Sequence, residues 1–129
     1  MELVWTKNIS VGVPKIDDQH QFLFYIINKL ERMKGELSGE ELENYVDSLS
    51  NYVQIHFQTE EEFFYRFDFA DKLEHEKEHG LFVDKIMEYR QKLENSEPVS
   101  VDDLYAFLSS WIKDHIQGSD MKFKGLFSE

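Results

Sequence analysis

The chain predicts an all-α fold, an up-down-up-down antiparallel four-helix bundle with an N-terminal arm. Three observations lead there. Apolar residues recur at three- and four-residue spacing in four separate stretches. Helix-start signals stand in front of those stretches. No stretch alternates apolar and polar residues as a half-buried strand would. At 129 residues the chain is long enough to bury one core, so 1–129 reads as a single domain.

Residues 1–16 read as the arm, because Ser10-Val11-Gly12-Val13-Pro14 breaks any periodicity. The first helix is expected over about 17–37, with Asp17 as N-cap and a stripe of His20, Leu23, Ile27, Leu30 and Leu37, widened by Phe24 and Met33. Ser38-Gly39-Glu40-Glu41 has the spacing of a capping box and opens a second helix, about 41–66. Its stripe runs Leu42, Val46, Leu49, Val53, His56, Glu60, Phe64. A turn at 67–70 leads to the third helix, about 71–94, with His75, His79, Phe82, Ile86 and Leu93 on one face. Pro98 and the pair Ser100/Asp103 precede the fourth, about 101–117, which carries Leu104, Leu108, Ile112, His115 and Ile116 and stops at Gly118-Ser119.

Polar residues interrupt these apolar stripes at particular places. His75 and His79 are four apart on one helical face, where two imidazoles can grip one ion. His56 and Glu60 repeat the spacing where apolar side chains belong, and an unpaired carboxylate on a core face costs several kcal/mol. His20 lies near the start of the first helix; His115 and Asp120 lie at the end of the fourth. In an up-down-up-down bundle the starts of helices one and three and the ends of helices two and four share one end. Seven nitrogen and oxygen donors, His20, His56, Glu60, His75, His79, His115 and Asp120, therefore converge on one layer. Singly, His20 or His115 would be an ordinary hydrogen-bonded histidine, the run Glu60-Glu61-Glu62 a solvated face, and Asp120 a helix-end residue. Together they point to a buried metal site.

Composition narrows the function. There is no cysteine, so disulfides, thiolate metal sites and thiol catalysis are excluded, and a reducing cytoplasm is the expected location. The formal charge of −12 argues against nucleic acid and anionic membrane surfaces. The longest apolar run, Phe22 to Ile27, is too short to span a bilayer, and the N-terminus lacks the basic region of a signal peptide. A monomer is favoured, with no nucleic-acid or membrane partner.

Two other metal readings compete. His75-Glu76-Lys77-Glu78-His79 matches the HExxH pattern of zinc metalloproteases, with Glu94 or Glu97 as a possible third ligand. That reading needs an open substrate cleft and leaves five donors unused. A ferritin-like di-iron oxidase needs two Glu-x-x-His motifs, and Glu76-x-x-His79 occurs once. A histidine-rich, carboxylate-poor site suits reversible binding better than oxidase chemistry.

The motifs Ile16-Asp17-Asp18-Gln19-His20, His56-Phe57-Gln58-Thr59-Glu60, His75-x-x-x-His79 and His115-Ile116-x-x-x-Asp120, with Trp5 and Val11-Gly12-Val13 before them, cover nearly the whole chain. In these the chain resembles the bacterial hemerythrins, non-haem di-iron four-helix bundles that bind O2. The turn between the second and third helices reads Phe69-Ala70 where that family usually has Tyr-Pro, a change that affects loop stiffness and no ligand. The resemblance implies two iron ions (Fe2+/Fe3+) with an oxo or hydroxo bridge. It implies that His75, His79 and His115 hold one iron, His20 and His56 the other, and that Glu60 and Asp120 bridge them. The two-histidine iron then has one ligand fewer, and O2 would bind reversibly at its vacant position with no side chain acting as acid or base. Leu23, Phe57, Trp111, Ile112 and Ile116, each within a turn of a ligand, are expected to form a dry wall around that pocket. O2 carriage, storage or sensing, and iron or nitric oxide handling, would all use such a site, none of them as an enzyme.

Overall fold

The computed structural model describes residues 2–33 and 37–127. Helices α1 (Pro14–Arg32), α2 (Gly39–Arg66), α3 (Lys72–Glu94) and α4 (Val101–Gln117) form a four-helix bundle; a 3₁₀ turn at Lys7–Ile9 lies in the arm and another at Asp120–Phe123 follows α4. No strand occurs among the described residues. Among them, too, no helix is long and apolar enough to cross a membrane.

α1 begins at Pro14, three residues before the expected Asp17, with Val13 in the N-cap position. Proline suits the first helical turn because the amide hydrogen it lacks has no partner there. Asp17 instead sits inside that turn, where its carboxylate accepts from Ser10 Oγ and from the Val11 amide at 2.8 Å. It thereby folds the arm back onto the helix start. Further along, the Asn28 side chain donates to Leu3 O and accepts from Leu3 N, both at 2.8 Å, pinning the arm to α1.

α1 ends at Arg32, short of the expected Leu37; the intervening 34–36 lie outside the described residues. Leu37 is apolar for another reason. It immediately precedes the Ser38 cap, in the N′ position of a hydrophobic staple whose other half is Leu42, and both belong to the same apolar cluster. The capping box itself is reciprocal: Ser38 Oγ accepts from Glu41 N at 3.1 Å and Glu41 Oε1 accepts from Ser38 N at 3.2 Å. With Ser38 as cap, α2 starts at Gly39, before 41. Ser100 caps α4 in the same way, accepting from Asp103 N at 3.1 Å.

α2 and α3 both end on a left-handed residue that is not glycine, Asp68 (φ 49°) and Ser96 (φ 58°). Each is followed by an amide that reaches back five residues, Phe69 N to Phe64 O and Glu97 N to Lys92 O, both 2.8 Å. These are Schellman caps, which reverse the chain tightly and satisfy carbonyls that the helix end leaves free.

The buried apolar residues fall into two clusters. A long one, from Leu30, Leu42 and Leu104 to Leu23, Phe57, Ile112 and Ile116, fills the bundle. A short one, Val11, Val13, Ile16, Phe64, Phe69, Phe123 and Phe127, closes the end where the ligand candidates lie. Around the bundle α2 packs on α3, and α1 on both α4 and α2, more closely than α3 approaches α4. Large rings occupy that wider seam: Phe82 stacks on Trp111 at 4.0 Å between centroids and on Phe107 at 5.5 Å.

Candidate metal centre

All seven candidate side chains meet between the two apolar clusters, and each is buried; His20, His56, Glu60 and Asp120 are 0% exposed. The helical spacing delivers six of them from four helices: His20 from α1, His56 with Glu60 from α2, His75 with His79 from α3, and His115 from α4. Asp120 comes from the 3₁₀ turn beyond Gly118. That break redirects the backbone, so Asp120 points back into the bundle end that α4 would otherwise run past.

Three imidazole nitrogens form one group. His115 Nε2 is 3.0 Å from His75 Nε2 and 3.2 Å from His79 Nε2. His20 and His56 form a second group, their rings edge-on with centroids 4.7 Å apart. The carboxylates divide between the two. Glu60 Oε2 lies 3.2 Å from both His20 Nε2 and His56 Nε2, while Oε1 lies 3.0 Å from His79 Nε2. Asp120 Oδ2 lies 3.1 Å from His20 Nε2, while Oδ1 lies 2.9 Å from His75 Nε2 and 3.1 Å from His115 Nε2. Each carboxylate thus turns one oxygen to the three-histidine group and one to the two-histidine group.

The arrangement fits metal ions. Donor atoms of Glu60, His75, His79 and His115 lie within 4.8 Å of one another, as do those of His20, His56 and Glu60. A first-row dication with metal–nitrogen bonds of about 2.0–2.1 Å holds nitrogens at right angles about 2.9 Å apart, close to the spacing at His115. Asp120 Oδ1 and Oδ2, Glu60 Oε1 and His56 Nε2 are buried with no hydrogen bond aligned on them. Such orphaned polar atoms at one depth are costly unless a cation satisfies them.

Protons partly take that role in the bare protein. Burial alone would depress the His20 imidazole, but Asp120 and Glu60 beside it carry its pKa up to about 9. His75 behaves alike, burial being outweighed by Asp120 and Glu60, and also reaches about 9. His79 is raised against burial by Glu60 and Glu61. His56 is lowered, because there burial prevails. Burial pushes the Glu60 carboxyl up, yet the facing His56, His20 and His75 hold it well below the usual carboxylate range. Asp120 is likewise held low by His115 and His20 against burial and the charge of Glu60.

Three histidines are oriented from behind. His56 Nδ1 donates to Gln19 Oε1 at 2.7 Å, His79 Nδ1 to Glu61 Oε2 at 2.9 Å and His115 Nδ1 to Glu78 Oε2 at 3.0 Å. Gln19 in turn donates to Thr59 Oγ1 at 3.2 Å, and Thr59 to the Ile55 carbonyl at 3.1 Å. A proton fixed on Nδ1 leaves the Nε2 lone pair facing inward, which is the ligating tautomer. Gln19, Glu61 and Glu78 are additions to the residues read from sequence. Glu61 and Glu78 stand next to Glu60 and His79 in charged runs that look solvated, so only their neighbours gave a signal.

Rings close the site. Phe57 lies flat on His79, centroids 3.7 Å apart and planes 3° apart. Phe64 packs on His75 at 4.6 Å and Phe123 at 5.9 Å, from the cluster at the bundle end. Of the expected wall residues, Leu23, Phe57, Ile112 and Ile116 are buried in the long core cluster, and Trp111 packs against it only partly buried. Trp111 stacks on the His115 ring at 4.4 Å, which puts it beside the three-histidine group. Glu76, the base in an HExxH reading, lies beside Tyr65 and raises the phenol above its ordinary pKa.

A family model described as the hemerythrin HHE cation binding domain matches residues 11–127. The bacteriohemerythrin of Stenotrophomonas maltophilia (strain R551-3) is 28% identical over 121 residues, which cover 94% of this chain and 78% of that protein. A hemerythrin-like protein of Naegleria gruberi is 30% identical over 123 residues, 95% of this chain and 91% of its own length. A crystal structure of wild-type hemerythrin superposes with a TM-score of 0.91, at 28% identity over 98% of each chain. The chain belongs to the hemerythrin HHE cation binding domain family.

Proposed function

We propose that the protein binds O2 reversibly at a pair of iron ions, for O2 carriage, storage or sensing. The observation that carries this reading is the division of each carboxylate. Glu60 and Asp120 each offer one oxygen to His75, His79 and His115 and the other to His20 and His56. Two carboxylates so placed would hold a pair of ions, one with His75, His79 and His115 and the other with only His20 and His56. A ferrous pair would supply an open coordination position for O2 and one electron from each ion.

The side chains around the centre hold and shield. Glu61, Glu78 and Gln19 fix the ring orientation of three histidines, and Phe57, Phe64 and Phe123 keep water from the ligand layer. Glu61 and Glu78, the ionisable side chains bonded to the candidate ligands from behind, are engaged on His79 and His115. That favours a binder over an enzyme. The names of the relatives, bacteriohemerythrin and hemerythrin-like protein, agree with the reading.

Anaerobic reconstitution with Fe(II), metal analysis and absorption spectra in air, after reduction and after re-exposure test it. Two irons per chain and a spectrum that returns on every O2 cycle are expected. Irreversible oxidation at the first exposure, with tight nitric oxide binding, would favour iron or nitric oxide handling. One zinc per chain with peptide cleavage would favour a protease, and a folded bundle that takes up no metal would sink all three.

A further inference from the structure

One stripe of α1 faces outward instead of into the bundle: Asp18, Phe22, Tyr25 and Lys29, at successive spacings of four, three and four residues. A single exposed apolar residue is ordinary, whereas contiguous ones mark a contact. Phe22 and Tyr25 are 46% and 54% exposed, and their rings stack at 5.9 Å between centroids. Phe22 also meets Tyr52 of α2 edge-on at 4.8 Å. Phe22, Tyr25, Lys29 and Tyr52 line a groove of about 560 Å³ along the α1/α2 seam. Asp18 belongs to the same face: burial, and then the charge of Asp18, raise the Tyr52 phenol above its ordinary pKa. Among the described residues, neither Asp18 nor Lys29 is ion-paired within the chain.

The stripe is its own complement. Laid antiparallel on a second copy, Asp18 meets Lys29, Phe22 meets Tyr25, and both pairs recur across one two-fold axis. The residue numbers of the two pairs have a common sum, as an antiparallel pairing about a single axis requires. Lys15 and Arg32, the next residues along the helix, fall on opposite borders of the stripe, and Glu2 holds Arg32 at 2.8 Å. The formal charge of −12 opposes contact between copies elsewhere, whereas here opposite signs meet and fix the register. We propose that this face is a homodimer interface, in which the α1 stripes of two chains pack antiparallel with the rings at the centre and an Asp18–Lys29 pair at each end. Composition alone favours a monomer, and the self-complementary order of these four residues argues against it. The inference goes beyond O2 binding and does not depend on the metal.

Sedimentation velocity of the iron-reconstituted chain over a concentration series tests it. The mass should rise from 15.4 kDa to twice that. Asp18→Lys and Lys29→Asp each put like charges at both ends of the contact, and each should weaken dimerisation about tenfold or more. The double variant Asp18→Lys/Lys29→Asp should restore it. So should an equimolar mixture of the two single variants, which then complement only each other. Phe22→Ser should leave a monomer, while Leu81→Ser, at a leucine exposed on α3, should not. Melting curves and Co(II) uptake check that each variant is folded. Should Phe22→Ser unfold, the charge exchange decides alone. A dimer indifferent to the single reversals would overturn the interface. So would a wild-type chain still monomeric at about 1 mM, which would leave the face to a partner other than a second copy.

Discussion

His56 donates from Nδ1 to Oε1 of Gln19 across 2.7 Å, an uncharged partner. His79 and His115 donate to carboxylates. A carboxylate behind an imidazole makes it a more basic ligand, whereas an amide only orients it. The two-histidine half is therefore the less electron-rich, and the more dependent on geometry.

Gln19→Leu should cost about 10- to 100-fold in affinity for one of two metal ions, the one assigned to His20 and His56, and leave the other nearly unchanged. Stepwise Co(II) titration of metal-free protein separates the two. An equal loss in both steps would mean that Gln19 supports the helix packing and not the ligand.

Glu60→Ala and Asp120→Ala should do more damage than loss of any one histidine. Each removes an oxygen from both ligand groups and a charge from a layer where His20 and His75 are held near pKa 9 by these same carboxylates. One iron or none should remain after reconstitution. A normal pair with reversible O2 binding in either variant would refute the bridging role.

How much of this was legible in the sequence depends on the kind of signal. His56 and Glu60 stand where the α2 stripe demands apolar residues, so periodicity alone exposed them. The alternating direction of the helices then brought His20, His75, His79, His115 and Asp120 to the same end. The partners behind the rings left no such trace. Gln19, Glu61 and Glu78 reach histidines on other helices, and no local spacing rule connects them. Leu37 fitted the α1 stripe but belongs to the staple before α2. The caps at Asp68 and Ser96 were hidden because glycine, the usual mark of a left-handed helix end, is absent from both.

Metal uptake should depend on pH with a definite sign. His20 and His75 have folded pKa values near 9 against an ordinary 6.5, so their contribution to the metal-free fold is complete below 6.5 and is lost as pH rises through 9. Glu60 and Asp120 are depressed, so their contribution is present above the ordinary carboxylate range and lost as pH falls below it. A metal ion must displace the protons on His20 and His75, so its apparent affinity should climb between pH 6.5 and about 9 and then level off. The melting temperature of the metal-free protein should fall over the same interval, while the loaded protein stays nearly flat. Calorimetric melts with and without metal across that range check both slopes, and parallel slopes would mean that these two histidines are not ligands.

On the proposed O2-binding reading, Ile112 is expected to govern how long bound O2 survives. It is 2% exposed in the long core cluster, one turn before His115, and it touches none of the chemistry of ligation. Ile112→Ala removes several methyl-sized groups, and space of that size beside polar ligands can admit a water molecule. Water supplies protons and competes for the open position, so the oxygenated form should decay to the inert oxidised form faster than in wild type. Iron content should hardly change. The truncation should also cost about 2–5 kcal/mol of stability, so decay must be compared well below the melting temperature and at equal iron occupancy. An unchanged decay rate would place the dry wall elsewhere, with Leu23 and Ile116, both buried in the same cluster, as the next residues to shorten.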